Sequence, residues 1–220
     1  MRAYLLIMYL LHCMQKASDN AAFDSATTYF QAGRELLGPN GWNTDPSVML
    51  KLHSKGANAC FISGHLDTMN ELIGEVLSQD IPVTDKFEVY VVKIKAAYAL
   101  VENHVAIDTA FEFRSKLGLP TFKNKPVNSF VIIKEFIKTK RTLGSRKAED
   151  IASLPELTDG RIMMGQRMLE LASTSCFSVS EQWLVTILVR HFLLTHYFSF
   201  CAGPANIVPI DCIYPGESIT

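Results

Sequence analysis

The stretch Asn20 to Trp42, NAAFDSATTYFQAGRELLGPNGW, constrains the fold more than any other. Ala22, Ala26, Tyr29, Phe30, Gly33, Leu36 and Leu37 recur at steps of three and four, which brings them to one face of an α-helix. Asp24, Thr27, Thr28, Gln31, Arg34 and Glu35 take the opposite face. Small residues (Ala22, Ala26, Gly33) alternate with large ones (Phe30, Leu37), so a second helix can pack closely here. The GPNG turn at Gly38 to Gly41 then stops the helix. The same pattern returns down the chain in pairs, and it predicts an all-α fold of antiparallel helix hairpins.

The spacing predicts a first helix over residues 3–16. Ser18, Asp19 and Asn20 offer capping oxygens to the next, Ala21 to Leu37. Gly38 to Thr44 reads as a loop. Asp45-Pro46 marks a helix start, because proline in the first turn forfeits no hydrogen bond. That helix runs from about Ser47 to Ser63, with Met49, Leu52, Gly56, Ala59 and Cys60 inward, and Gly64 breaks it. Leu66, Met69, Leu72, Ile73, Val76 and Leu77 line the following helix, with Asp67, Glu71 and Glu75 outside. A turn of roughly three residues makes the two a hairpin.

Asp80 to Val83 is a connector, and Thr84 or Asp85 caps a helix from Lys86 to about Val101. The run VYVVKI inside it favours a strand on local propensity. The three-four spacing of Phe87, Tyr90, Ile94, Ala97 and Val101 predicts a helix instead. After a turn at Glu102-Asn103-His104, Val105 to Leu117 places Ala106, Ala110, Phe113 and Leu117 on one face, closed by Gly118-Leu119-Pro120. Thr121 to Pro126 is a polar loop, and a helix from about Asn128 to Leu143 should bury Phe130, Ile133, Phe136 and Ile137. Ser145 to Leu157 reads as irregular. Thr158-Asp159 caps a helix to about Phe177, lined by Ile162, Met164, Met168, Leu171 and Ala172. A last helix covers Glu181 to Phe200. Helix pairs thus recur at roughly 40 residues, near the tetratricopeptide period. Each is too apolar on one side to stand alone, which predicts a stacked α-solenoid over residues 1–200 and a loose tail over 201–220.

Lysines and arginines number 21 against 22 acids, so the formal net charge is -1. Nothing global steers such a chain to nucleic acid or anionic lipid. Cys13, Cys60, Cys176, Cys201 and Cys212 are scattered, with no CxxC pair, and read as reduced thiols in a cytoplasmic protein. The N-terminal RAYLLIMYLLHC imitates a signal peptide, but it runs on into Gln15 and Lys16 without a small-residue cleavage site, so a first helix is expected. Trp183 to Ala202 has the length of a membrane span, interrupted by Arg190, His191 and His196. A central arginine costs about 2.5–3.5 kcal/mol on insertion scales. A buried amphipathic helix is expected there, and no membrane partner.

Gly38-Pro39-Asn40-Gly41 lacks the lysine and hydroxyl residue of a phosphate loop and follows a helix, not a strand. His191 and His196 stand roughly 140° apart on a helix, unlike a metal pair at i and i+4. His12 and Cys13, adjacent in sequence, diverge. The carboxylate pairs Asp67/Glu71, Glu149/Asp150 and Glu156/Asp159 read as solvated groups or caps, with no enclosure for acid–base work. No catalytic, cofactor-binding or metal-ligating residue is assigned. Met163, Met164 and Met168 read as core filling.

Lys134, Lys138 and Arg141 line one side of a helix, with Lys140, Arg146 and Lys147 beyond, and form a candidate docking patch for an acidic partner segment. No aromatic ladder interleaves them, which argues against nucleic acid. Asn58, Lys93 and Lys95 lie on the first helices of their pairs and are candidate partner-binding positions on the concave side of a solenoid.

Ala26, Phe30 and Gly33 match the alanine–large–small pattern of a second tetratricopeptide helix. Ala106, Ala110 and Phe113 carry it with sizes reversed, while Gly64 sits at a turn and Ala57 supplies the small residue of a first helix. In order, AFDSATTYFQAGRELLGPNGW, NELIGEVL, VYVVKIKAAYA, AIDTAFEFRSKLGLP and SLPELTDGR before a Met-rich helix resemble the helical-repeat region that follows the AAA-type predicted ATPase domain in multi-sensor signal-transduction kinases. The resemblance covers about residues 15–177. Its turn at Asn103 to Val105 is shorter than that family's, and the pattern fades beyond Phe177. The resemblance implies a fragment without ATPase or kinase domain, acting as a non-catalytic scaffold whose partners are such domains or a peptide segment. The alternatives are a small enzyme on an unrecognised helical fold, or a membrane-associated protein anchored by residues 3–14 and 183–202.

Overall fold

A computed structural model of the chain describes residues 2–119 and 158–179, with positions 130, 133, 134, 136, 137, 140, 141 and 144 between them. The helices are α1 (Arg2–Asp19), α2 (Phe23–Leu37), α3 (Gly41–Thr44), α4 (Pro46–Ile62), α5 (Leu66–Ser78), α6 (Phe87–Ala99), α7 (Asn103–Lys116) and α8 (Gly160–Val179). Positions 130, 133, 134, 136, 137, 140 and 141 are also helical. No strand occurs among the described residues, and the strand-prone VYVVKI lies inside α6. The chain divides into two units, Met1–Ala96 and Ala97–Thr220.

One backbone motif closes four helices. After α1, the Ala21 N–H donates to Ser18 O and the Ala22 N–H to Ala17 O. After α4, Gly64 donates to Phe61 O and His65 to Cys60 O. Val101 and Glu102 repeat the pair onto Tyr98 O and Ala97 O after α6, and Gly118 and Leu119 onto Ser115 O and Arg114 O after α7. Such a pair satisfies the last carbonyls of a helix and requires a left-handed residue at its centre. Ala21, Gly64, Val101 and Gly118 supply it, with φ of 57°, 78°, 62° and 70°. The expected capping of α2 by Ser18, Asp19 or Asn20 is therefore corrected. α1 runs on through Asp19, Ala22 is the N-cap of α2 without a side-chain bond, and the Asn20 amide donates back to Lys16 O. At Asp45-Pro46 the expectation holds: the Asp45 carboxylate accepts from the Val48 N–H at 3.3 Å, with proline in the first turn.

In the first unit, α1 buries Ile7, Leu11 and Met14 and packs on α2. α2 packs on α4 through two reciprocal holes. A Cβ on Gly33 would stand 3.0 Å from Leu52, and one on Gly56 would stand 2.5 Å from the Phe30 ring. Each helix thus gives a glycine to the large side chain of the other, as the alternation of sizes in α2 predicts. Ala22 and Leu36 fall outside this contact and are exposed. α4 packs in turn on α5, whose Met69, Leu72, Ile73 and Val76 are buried. Val89, Val92 and Ala96 of α6 join the same core. The Lys86 ammonium donates to Leu77 O and Gln79 O, covering the C-terminal end of α5. Gly38 to Thr44, expected as a loop, contains the single turn α3.

In the second unit α7 packs on α8 around Ile107, Phe111, Leu169 and Cys176. Gly165 of α8 lies against Leu119 and Arg114, whose guanidinium is buried. Ala106, Ala110, Phe113 and Leu117 are inward as expected, and so are Ile162, Met168 and Ala172. Met163 is exposed. Phe130, Ile133, Phe136 and Ile137 are exposed, contrary to the expected burial. Helical period marks an apolar face but does not supply the surface that would cover it. The expected loop at Thr121 to Pro126, the irregular stretch before Leu157, the helix over Glu181 to Phe200 and the tail lie outside the described residues. Among the described residues no helix is long and apolar enough to cross a membrane; Trp183 to Ala202 is not among them.

Candidate functional site

Three side chains, from α2, α3 and α4 of the first unit, converge on one carboxylate of α5. Glu75 of α5 reaches back between α2 and α4. Its Oε1 accepts from the Trp42 indole N–H at 2.9 Å, and its Oε2 pairs with the Arg34 guanidinium at 3.2 Å. His53 Nε2 stands 3.2 Å from the same Oε1, though without the geometry of a hydrogen bond. The His53 ring has no solvent exposure. Phe30 stands perpendicular to it at 5.7 Å between ring centres and Trp42 lies tilted at 5.1 Å. Nδ1 is 2.8 Å from the Met49 carbonyl, one turn back on α4.

Local structure explains why the groups meet. The one-turn α3 places Trp42 over α4, with Gly41 pressed so close to Met49 that a Cβ would stand 2.7 Å from its sulfur. Phe30, seated on Gly56, walls the ring from the α2 side. Burial pulls the His53 pKa below the ordinary histidine value, against the Met49 carbonyl and the Glu75 carboxylate, which favour the charged ring. Burial alone would raise the Glu75 pKa, but the Trp42 hydrogen bond and the neighbouring positive charges outweigh it and hold the carboxyl below its usual range. Glu75 was expected on the solvated face of α5; it is instead half-buried and bonded to α2 and α3. The helical period puts Glu75 beside Asp67 and Glu71, and those two are exposed. Trp42 and His53 were not singled out by sequence, and their only signal was an indole and an imidazole near glycine-rich helix contacts.

The candidate partner-binding residues are distributed over three elements. Asn58 lies half-buried on α4. Lys93 is half-buried and Lys95 exposed on α6, where two residues of separation turn them roughly 200° apart, so they serve different faces. Lys134 and Arg141 are helical and exposed, seven residues apart and therefore on one side. Lys140 is exposed with them; Lys138 lies outside the described residues. Phe130 and Ile137, also exposed, border that side.

Other features are weaker as sites. An open cavity of about 600 Å³ in the second unit is lined by Val101, Glu102, Asn103, His104, Val105, Ser178 and Val179. No group of three metal-ligating side chains occurs among the described residues. Cys60 and Cys176 are buried free thiols, and burial pushes Cys176 up to about 12, so it packs as a small hydrophobe. Cys13 is half-buried and free. No family model matches the chain, and no curated protein or solved structure matches it.

Proposed function

We propose that this chain is a non-catalytic helical-repeat scaffold, a tetratricopeptide-like array that works by holding a partner protein. The observation that carries the reading is that one left-handed closing turn ends the first helix of each pair, at Ala21, Gly64 and Val101, roughly 40 residues apart, while the same turn at Gly118 ends the second helix of the third pair. The reciprocal packing of Phe30 on Gly56 and Leu52 on Gly33 supports it, because it is the contact by which the second helix of one pair meets the first helix of the next. In this reading the repeat region belongs to a signal-transduction protein with ATPase and kinase domains, and acts in the cytoplasm as the contact between them. The exposed basic side at Lys134 and Arg141, bordered by exposed Phe130 and Ile137, suits an acidic, partly apolar segment of the partner.

The test is calorimetric titration of the chain with the isolated ATPase domain and the isolated kinase domain of a multi-sensor signal-transduction kinase. A dissociation constant around micromolar is expected for one of them. Changing Lys134→Glu together with Arg141→Glu should weaken it about tenfold. Absence of heat with both domains at that concentration rejects the reading.

A further inference from the structure

The cluster around His53 contains a contact that a neutral ring cannot satisfy. Nδ1 faces the Met49 carbonyl at 2.8 Å, and Nε2 faces the Glu75 carboxylate at 3.2 Å. Both partners are acceptors, and neutral imidazole has one N–H to give. The shorter contact claims it, so Nδ1–H donates to Met49 O. The Nε2 lone pair then faces Oε1, which agrees with the missing hydrogen-bond geometry at Nε2.

We propose that Arg34, Trp42, His53 and Glu75 form an acid-sensitive latch, shut while His53 is neutral and opened when a proton reaches Nε2. This inference is independent of the scaffold reading. A proton on Nε2 places a full charge on a ring that has no contact with water. The charged groups facing the ring are Glu75 from α5 and Arg34 from α2; α3 contributes the neutral Trp42 and α4 the Met49 carbonyl. Glu75 attracts the new charge, but it already serves Trp42 and Arg34. Its side chain is 29% exposed and that of Arg34 48%, so water screens the attraction, and Arg34 itself repels the ring. The loss of hydration at the ring is unscreened and prevails, in line with the downward pull of burial on His53.

The route by which water reaches the charged ring follows from the packing. α4 and α5 are held by a shared apolar core of Leu52, Ala59, Cys60, Leu72, Ile73 and Val76. The half-buried Trp42 rides on a single helical turn, tied to α4 by the approach of Gly41 to Met49. Lifting α3 therefore hydrates His53 while the larger helices stay packed, and it carries the indole into water.

The experiment reads Trp42 fluorescence in the full chain carrying Trp183→Phe, so that one indole reports. Between about pH 7.5 and 5, the emission should move to longer wavelength with a single-proton midpoint below about 6.5, while far-ultraviolet dichroism keeps its helical signal. Adding His53→Phe should abolish the movement. A constant emission over that range, or the same movement in the His53→Phe protein, overturns the latch. If His53→Phe does not fold, imidazole nitrogen NMR on the Trp183→Phe chain decides. An Nδ1–H tautomer at neutral pH supports the latch, and an Nε2–H tautomer overturns it.

Discussion

Val101 is a β-branched residue in the left-handed region, at a position where α4 and α7 are followed by glycine. A left-handed conformation costs an L-residue about 1–2 kcal/mol, and glycine escapes it at the price of some chain entropy. Val101 is 76% exposed, so removal of its side chain forfeits little packing. Val101→Gly should stabilise the protein by about 1 kcal/mol in urea unfolding. Two helical glycines give opposite expectations. At Gly74, on the exposed face of α5, an added Cβ meets nothing within 4 Å. Gly74→Ala should add up to about 1 kcal/mol through helix propensity alone. At Gly56 the same gain is offset by overpacking of about 1–3 kcal/mol, because the Phe30 ring must leave its seat. Gly56→Ala should thus lower stability by about 1 kcal/mol, and equal effects at the two glycines would refute the reciprocal packing.

The helices themselves were largely legible in the sequence, for a physical reason. Apolar residues at steps of three and four dictate a helix wherever a partner is in reach, and Met49, Leu52, Met69, Leu72 and Val76 are all inward. This holds even for VYVVKI, where burial of Val89, Tyr90 and Ile94 overrides strand propensity. The ends were less legible, since they depend on which polar group wins the last carbonyls. Asn20 looked like an N-cap for α2 and instead serves the end of α1. Lys86 covers the end of α5 from nine residues downstream of Leu77, a contact that no local pattern announces. At α4 the local signal was sufficient, and Asp45→Ala should cost about 1 kcal/mol, read as a lower urea midpoint with unchanged slope. A loss confined to the noise would mean that the cap is replaced by water.

For the whole molecule, the His53 and Glu75 shifts give one sign. The His53 pKa is lowered on folding, so its contribution to stability is complete above the unfolded value near 6.5 and is lost as pH falls below it. The Glu75 pKa is also lowered, so its contribution is present above an unfolded value near 4.5 and is lost as pH falls through the acid range. Melting temperature should be highest near neutrality and fall in two steps on acidification. His53→Phe should flatten the upper step, and Glu75→Gln the lower. A melting temperature that climbs from neutral pH to about 5 would contradict the sign. The sequence by itself determined that the chain is built from helices, where most of them break and which faces are apolar, because these follow from neighbours within one or two turns. Only the tertiary structure decided that Glu75 leaves the solvated face to bind Trp42 and Arg34, that His53 is sealed, and that Phe130 and Ile133 stay exposed. A polar side chain takes the partner, and an apolar face the cover, that other helices bring to it, and the spacing along one helix contains no record of either.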